Sequence, residues 1–296
     1  MNIDDEIKET MTLNLTNSFS DVLIEAEWLA ENLDNPNVVV VEVFMPGASA
    51  GGENPGVIPN ARRVNWKDFV WESKRREFAD SATLAQRLGE LGISPSAQIV
   101  ICGDPIQFGT YAYMALKMAG NEKVKILNGG KARWLSLGLP ISHDSLSYST
   151  VDRFSGEVDR SVIVGRDEVL ASLGADDIQI LDLRSDEEYL GQRVSPGTSP
   201  IDHGAQAWGR IPGAKHLFFG SLLAEDGRFL DREELIVKFN SKGINLDQPV
   251  FLYCRLGHRA SMAWFVLSEI VGFDLSRVYD GSWTEWGSMV GMPVER

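Results

Sequence analysis

The sequence predicts two homologous α/β domains, each built on a mainly parallel sheet with helices on both faces. The first observation behind this prediction is an internal repeat: Cys102 and Cys254, and likewise Trp134 and Trp286, lie 152 residues apart. The second is the alternation of short β-branched runs with helix-like segments in both halves, which is typical of parallel α/β units. One spacing kept over several positions indicates a duplicated domain rather than two unrelated domains of one class.

Each predicted strand is a short apolar run bounded by polar or turn residues, the pattern of a strand buried on both faces. In the first half we expect strands at 38–43, 99–102 and 124–127 and helices at 83–91 and 111–119. In the second half we expect strands at 179–183, 250–253 and 278–279 and a helix at 261–271. Gly272 follows that helix, in the position where a glycine commonly ends one.

Polar stretches without periodicity mark the limits of the domains. Residues 1–19 are expected to form a flexible N-terminal tail, and residues 146–160 a linker. The first domain then spans 20–145 and the second spans 161–296.

Composition argues against several classes of function. The 296 residues include 28 Lys and Arg but 42 Asp and Glu, a formal net charge of −14, so the basic surface that nucleic acids and anionic membranes attract is missing. No apolar run reaches the roughly 18 residues that a transmembrane helix needs. The acidic, apolar-poor N-terminal segment predicts no signal peptide, and only two cysteines predict no disulfide framework. We therefore expect a soluble, cytoplasmic protein.

The strongest candidate for chemistry is Cys254, which directly follows a predicted buried strand in the segment FLYCRLGHRASMAW. The carboxyl ends of parallel strands are where α/β proteins bind ligands. Gly257 permits a tight turn in which backbone N–H groups face the sulfur, and the next helix adds its partial positive charge. These groups, with Arg255 and Arg259, favour the thiolate and predict a nucleophile. The alternative is a buried, inert cysteine before a solvated basic loop. The predicted anion-binding loop consists of Arg255, Leu256, Gly257, His258, Arg259 and Ala260.

Four segments resemble the rhodanese family of tandem-domain thiosulfate sulfurtransferases. They are CRLGHRAS at 254–261, YDGSWTEW at 279–286, LDLRSDEEYLG at 181–191 and GRIPGAKHL at 209–217. The resemblance covers both halves and implies a catalytic C-terminal domain and an inactive N-terminal one. It also implies a double displacement, in which the cysteine takes the outer sulfur of thiosulfate and passes it to cyanide or another thiophilic acceptor. Such a substitution needs no cofactor.

The resemblance implies roles for residues outside the loop as well. Arg184 matches the family's substrate-side arginine, with a surface cation as its alternative. Glu188 stands where relatives that use mercaptopyruvate are expected to carry an arginine, which favours thiosulfate as the donor here. Leu256 departs from the lysine of the vertebrate-type thiosulfate enzyme, and Arg259 or His258 is the candidate replacement for that charge.

The first repeat provides an internal comparison. Cys102 occupies the repeat position of Cys254, but its loop, GDPIQFGTY, carries Asp104 and Pro105 and no basic residue. Because an acidic loop poor in N–H donors raises the pKa of a thiol, Cys102 is expected to be inert. Trp283 is expected to pack in the core, with a substrate-wall role as the alternative. The histidines show no metal-ligand spacing with the cysteines, so no metal is predicted.

The length of the loop between Cys254 and Arg259 distinguishes among the competing functions. Dual-specificity phosphatases, which share the family's fold, enclose five residues between cysteine and arginine, whereas Cys254 and Arg259 enclose four. Four residues favour a sulfur-centred intermediate over phosphatase or arsenate reductase chemistry. The open alternatives are 3-mercaptopyruvate as donor and a non-catalytic sulfur-relay or regulatory protein. The expected partners are a small anionic sulfur donor and a thiophilic acceptor, with a protein acceptor also open.

Overall fold

The computed structural model describes residues 22–50, 52, 56–144, 147–152, 156, 158–195 and 205–296. The tail predicted at 1–19 lies outside these residues, as do parts of the linker predicted at 146–160. The chain forms two compact units. The first contains the described residues of Met1–Gly109 and Asn121–Ser155, and the second contains Thr110–Gly120 and the described residues of Gly156–Arg296.

The first unit is built on parallel strands. Its described strands are β1 (Leu23–Ile24), β2 (Val38–Phe44), β3 (Arg62–Asn65), β4 (Gln98–Asp104) and β5 (Val124–Leu127), in the order β1-β5-β4-β2-β3. Its described helices are α1 (Ala26–Glu31), α2 (Trp66–Val70), α3 (Ser81–Glu90) and α5 (Gly130–Ser136), while α4 (Ile106–Met118) begins here and ends in the second unit. All neighbouring strands run parallel, the arrangement that crossover helices produce.

The second unit repeats this plan with four described strands. They are β6 (Gln179–Asp182), β7 (Lys215–His216), β8 (Val250–Tyr253) and β9 (Ser276–Val278), in the order β7-β6-β8-β9 and all parallel. Its helices within the described residues are α6 (Arg166–Ala171), α7 (Asp186–Tyr189), α8 (Arg232–Ser241), α9 (His258–Phe265) and α10 (Ser282–Trp286), with a 3-10 turn at Phe219–Leu222 and a π-helix at Val266–Val271. Every residue of β6 and β8 is buried, as expected for central parallel strands.

The predicted α/β class is confirmed, and the differences concern the ends of elements. The helix predicted at 261–271 starts three residues earlier, at His258, and continues as the π-helix Val266–Val271. The strand predicted at 99–102 extends to Asp104, so Cys102 lies inside β4 rather than at its end. Pairing with β2 along the whole of β4 explains the extra length.

The duplication is visible in the cores of the two units. The indole of Trp134 donates to the carbonyl of Pro140 at 2.9 Å, and the indole of Trp286 donates to the carbonyl of Pro293 at 2.8 Å. Both tryptophans are fully buried. Among the described helices, none is both long enough and apolar enough to cross a bilayer.

Candidate active site

Cys254 lies at the carboxyl end of the central strand of the second unit. Strand β8 ends at Tyr253 and helix α9 begins at His258, so only Arg255, Leu256 and Gly257 separate the cysteine from the helix. The loop is therefore shorter than the six residues that we predicted. Gly257 explains the difference, because its φ of +89° turns the chain directly into α9.

The backbone of the loop donates to the cysteine sulfur. The N–H of Gly257 lies 3.2 Å from the Sγ of Cys254. Cys254 is 1% exposed, so this contact is made in a largely water-free environment. Hydrogen bonds to sulfur from backbone N–H groups stabilise the thiolate, because they place partial positive charge beside it.

Helix α10 fixes the other side of the loop. The hydroxyl of Ser282 accepts the N–H of Cys254 at 3.1 Å. The N–H of Trp283 donates to the Cys254 carbonyl at 3.0 Å, and the N–H of Thr284 donates to the Arg255 carbonyl at 3.1 Å. The first N–H groups of a helix have no partner within the helix, so here they bind the loop instead. The structure thus gives the YDGSWTEW motif a positioning role that we did not predict.

Gly257 is also fixed by what surrounds it within the second unit. The hydroxyl of Tyr111 donates to the Oδ1 of Asp280 at 2.8 Å. A Cβ on residue 257 would lie 2.2 Å from that same oxygen, so the position admits only glycine without rearrangement. The rings of Tyr111 and His258 lie 4.4 Å apart, and His258 is buried rather than exposed. Sequence analysis did not identify Tyr111 or Asp280.

Arg184 is a buried ion-pair partner and not a surface cation. Its side chain is 0% exposed, and its Nε and Nη2 donate to the carboxylate of Asp182 at 2.6 to 3.0 Å. Its Nη2 also donates to the Gly209 carbonyl, and its guanidinium lies 4.5 Å from the ring of Trp283. Burial lowers the pKa of Arg184, but Asp182 outweighs it and the net shift is upward. The buried Nη1 has no hydrogen-bond acceptor among the described residues.

Arg259 is likewise paired, with Glu188 of α7. Its Nη1 donates to Glu188 Oε2 at 2.6 Å and its Nη2 donates to Oε1 at 3.0 Å. Both side chains are buried. Burial raises the pKa of Glu188, but the hydrogen bonds and charge of Arg259 prevail, so the pKa of this carboxyl lies below its ordinary value. Burial lowers the pKa of Arg259, but the hydrogen bonds and charge of Glu188 bring it above its ordinary value.

The structure distributes the predicted loop residues into two groups. Arg255 and Leu256 are half-buried, whereas Gly257, His258, Arg259 and Ala260 are buried. Arg255 therefore has the more accessible of the two loop guanidiniums. Trp283 is fully buried, and its indole donates to the Ala207 carbonyl at 3.1 Å, as a core residue does.

Cys102 of the first unit has the opposite environment. It is completely buried within β4, and burial together with the nearby carboxylate of Glu42 raises its pKa well above the ordinary value, against the smaller effect of Lys131. The carboxylate of Asp104, at the end of the strand, accepts the N–H of Ala50 at 2.7 Å. The predicted direction of the Cys102 pKa is confirmed, although burial contributes more to it than the acidic loop does.

Comparison with known families identifies the class of protein to which the chain belongs. A family model described as Rhodanese-like domain matches residues 25–137 and 165–289, one match in each half of the chain. The chain belongs to the rhodanese family, with two such domains. Within the described residues, no group of three His, Cys, Asp or Glu side chains has the arrangement of a metal site.

Individual relatives extend over nearly the whole chain. A Mycobacterium leprae protein named "Putative thiosulfate sulfurtransferase" is 34% identical over 93% of this chain and 98% of its own length. The "Sulfur carrier protein TtuD" of Thermus thermophilus is 33% identical over 93% of this chain and 97% of its own. A solved structure of the anaerobic ergothioneine biosynthesis enzyme from Chlorobium limicola has a TM-score of 0.78 and 25% identity, covering 93% of this chain and 70% of that one. The family and these names support a sulfurtransferase.

Proposed function

We propose that this protein is a thiosulfate sulfurtransferase in which Cys254 carries the transferred sulfur as a persulfide. The observation that supports this proposal most is the position of the Cys254 sulfur, which accepts the Gly257 N–H at 3.2 Å next to the start of α9. A backbone donor and a helix N-terminus both favour negative charge on sulfur, so they favour the form of the side chain that attacks.

The proposed reaction consists of two nucleophilic substitutions at sulfur. In the first, the Cys254 thiolate attacks the outer sulfur of thiosulfate, the S–S bond of thiosulfate breaks, and sulfite leaves with the bonding pair. In the second, the carbon of cyanide attacks the outer persulfide sulfur, thiocyanate departs, and Cys254 regains its thiolate. Negative charge remains near the sulfur throughout, so the Gly257 N–H and α9 assist both steps. Neither step involves an external oxidant or reductant.

Two arginines are the proposed contacts for the donor anion. Arg255 follows Cys254 directly and is only half-buried, and a guanidinium presents paired N–H groups that match oxyanions. Arg184 offers its buried Nη1, which a substrate oxygen would satisfy. His258, Arg259 and Ala260 contribute the first backbone N–H groups of α9, and Leu256 contributes to the loop between them.

The reaction class is tested by intact-mass measurement after incubation with thiosulfate. We expect the protein to gain one sulfur atom and to lose it on addition of cyanide, with thiocyanate released. Cys254→Ser should gain none. Cys102→Ser is the matched control, because it removes the repeat-related thiol, and it should retain at least half of the thiosulfate-to-cyanide transfer. Sulfur on Cys102 in place of Cys254 would overturn the assignment of the catalytic domain.

The proposed donor is thiosulfate in preference to 3-mercaptopyruvate. Glu188 occupies the place expected of a carboxylate-binding arginine, and its pairing with Arg259 leaves neither group available to hold a substrate carboxylate. We expect thiosulfate to exceed mercaptopyruvate by at least about tenfold in kcat/KM, or about 1.4 kcal/mol. Comparable values for the two donors would refute this preference.

A sulfur relay to another protein is the second candidate, favoured by the relative that is named a sulfur carrier protein. In that case thiosulfate would load Cys254, but cyanide would not discharge the persulfide at a catalytic rate. The mass experiment distinguishes the two candidates, because it follows loading and discharge separately. Both free thiols suit a reducing compartment, so we propose the cytoplasm as the place of action.

A further inference from the structure

Two buried carboxylates lie among the cationic residues of the Cys254 site. Asp182 pairs with Arg184, and Glu188 pairs with Arg259 through both carboxylate oxygens. Each pair is neutral as a whole, so the two buried arginines add little net positive charge to the site. Arg255 is half-buried, in contrast to these two arginines.

The charge of Glu188 is not explained by its place in the helix. Glu188 is the third residue of α7 and forms a capping box with Ser185, in which its Oε2 accepts the Ser185 N–H at 3.0 Å. Glutamine fills that position of a capping box as well as glutamate does. A buried ionised carboxylate carries a desolvation penalty that a neutral amide avoids. Here the charge is retained because it pairs with the buried guanidinium of Arg259, so its role lies in that pair.

The proposed reaction supplies such a role. The substrate thiosulfate and the product sulfite are both oxyanions of similar charge, so an added positive charge near Cys254 binds both more tightly. Binding both equally well lowers KM without raising kcat. A slower departure of the product then limits turnover.

We propose that Glu188 sets the net charge of the Cys254 site by neutralising Arg259, and thereby keeps anion binding weak enough for sulfite to leave. The inference rests on the proposed function. Glu188 acts through Arg259 and is a positioning residue rather than a catalytic one. If Glu188 had a purely structural role, every substitution of it would weaken anion binding. If it sets the charge of the site, substitutions that remove its charge strengthen anion binding.

The decisive measurement compares alkylation of Cys254 by iodoacetate, an anion, with alkylation by neutral iodoacetamide, each rate being read from the Cys254 peptide by mass spectrometry. The ratio of the two rates reports the local potential and needs no transferase activity. In Glu188→Gln we expect the ratio of the iodoacetate rate to the iodoacetamide rate to rise at least about threefold. One unit of positive charge several ångström from the reagent has an effect of at least this size at an effective dielectric constant of about 20 to 80. Glu187→Gln, an exposed glutamate of the same helix, is the matched control and should leave the ratio unchanged.

Two further variants separate charge from geometry. Glu188→Asp keeps the charge but shortens the side chain, and we expect its ratio to remain close to that of the unmodified protein. Glu188→Gln with Arg259→Gln removes both charges and should cancel the rise. A rise in Glu188→Asp as large as in Glu188→Gln, or no rise in Glu188→Gln, would overturn the proposal. If Glu188→Gln does not fold, the proposal is still tested by the double variant and by Glu188→Asp. The pair at positions 188 and 259 contributes no net charge in either protein, so the two alkylation ratios should be equal. Unequal ratios would contradict the proposal.

Steady-state kinetics test the consequence for turnover. In Glu188→Gln we expect the KM for thiosulfate and the inhibition constant of sulfite to fall together at least about threefold, with a lower kcat. A higher KM with unchanged sulfite inhibition would contradict the role. If thiosulfate loads no sulfur onto the unmodified protein, the proposed function fails, while the alkylation ratio still reports on the charge of the site.

Discussion

Gly257 combines two constraints that together exclude other residues. Its φ of +89° lies in the left-handed region, and Asp280 stands where a side chain would begin. The turn at this glycine places the Gly257 N–H 3.2 Å from the sulfur of Cys254. The geometry of the loop around Cys254 therefore requires glycine at position 257.

We expect Gly257→Ala to lose about 1–3 kcal/mol from the steric conflict, in addition to about 1–2 kcal/mol from left-handed backbone strain. Gly272→Ala is the matched control: Gly272 has a φ of +79°, but no atom of the described residues lies within 4 Å of its added Cβ. Urea denaturation measures the stabilities, and persulfide loading measures the site. Equal losses in the two variants would show that Asp280 yields to the new side chain.

The Glu188–Arg259 pair predicts a pH dependence of stability. The pKa of Glu188 is lower in the folded protein than its ordinary value, despite burial, because of Arg259. A carboxyl with a depressed folded-state pKa stabilises the protein above its unfolded pKa of about 4.3, and this contribution is lost as the pH falls through the folded value.

We therefore expect the stability advantage of the unmodified protein over Glu188→Gln to be constant near neutral pH and to shrink as the pH falls below about 4.3. Denaturation curves collected from pH 7 to pH 3 measure it. Glu233→Gln, whose carboxyl is exposed in the first turn of α8, should show a much smaller change. An advantage that grows on acidification would mean that Glu188 is already protonated in the folded protein.

At the scale of elements, the site is a junction of strand β8, helix α9 and helix α10. Cys254 directly follows strand β8, and the N-terminus of α9, the positive end of the helix dipole, begins at His258. Helix α10 holds the loop through Ser282 and two backbone N–H groups. The short α10 therefore contributes by its position rather than by its length.

We expect Ser282→Ala to leave the N–H of Cys254 buried without an acceptor, at a loss of about 1–3 kcal/mol, and to slow persulfide loading. Ser241→Ala is the control, because the Ser241 hydroxyl donates to the carbonyl three residues earlier just as that of Ser282 does, but on the surface. The control should change stability by no more than about 0.5 kcal/mol. Thermal or urea unfolding measures the stability of the two variants, and a loading assay measures persulfide formation. If Ser282→Ala changed neither quantity, α10 would have no role in the site.

At the scale of the whole molecule, duplication has produced one sheet architecture with two cysteine environments. In the first unit the cysteine lies inside a longer strand beside Glu42, and in the second it lies one residue beyond a shorter strand. The N–H of Gly257 donates to the second sulfur, that of Cys254. The difference in environment follows from where each strand ends.

We expect iodoacetamide at neutral pH to label Cys254 and to leave Cys102 unmodified until the protein is unfolded. Both thiols are buried, so the expected difference rests on charge. Burial and Glu42 raise the pKa of Cys102, so this thiol stays protonated, whereas the sulfur of Cys254 accepts the N–H of Gly257. Peptide mass spectrometry with and without urea measures the two sites. Labelling of Cys102 in the folded protein at a rate comparable to that of Cys254 would contradict this asymmetry.

Several features of the fold and site were predictable from local patterns. Short apolar runs identified β6 and β8 because a central parallel strand is buried on both faces, and the repeat spacing identified the second domain. The loop length was not predicted, since whether α9 begins at His258 or Ser261 depends on the turn at Gly257. The partner of Arg259 was not predicted either, because Glu188 lies 71 residues away in the chain.

The sequence by itself determined the duplicated α/β class, the placement of Cys254 after a buried strand, and the contrast between the two cysteine loops. These properties depend on periodicity, residue type and neighbours along the chain, all of which are local. Only the tertiary structure decided which distant groups meet: it joined Arg259 to Glu188, and the Cys254 N–H to the hydroxyl of Ser282. Hydrogen bonds and ion pairs form only when two groups come within about 3 Å of each other, and no local pattern encodes that approach between distant segments.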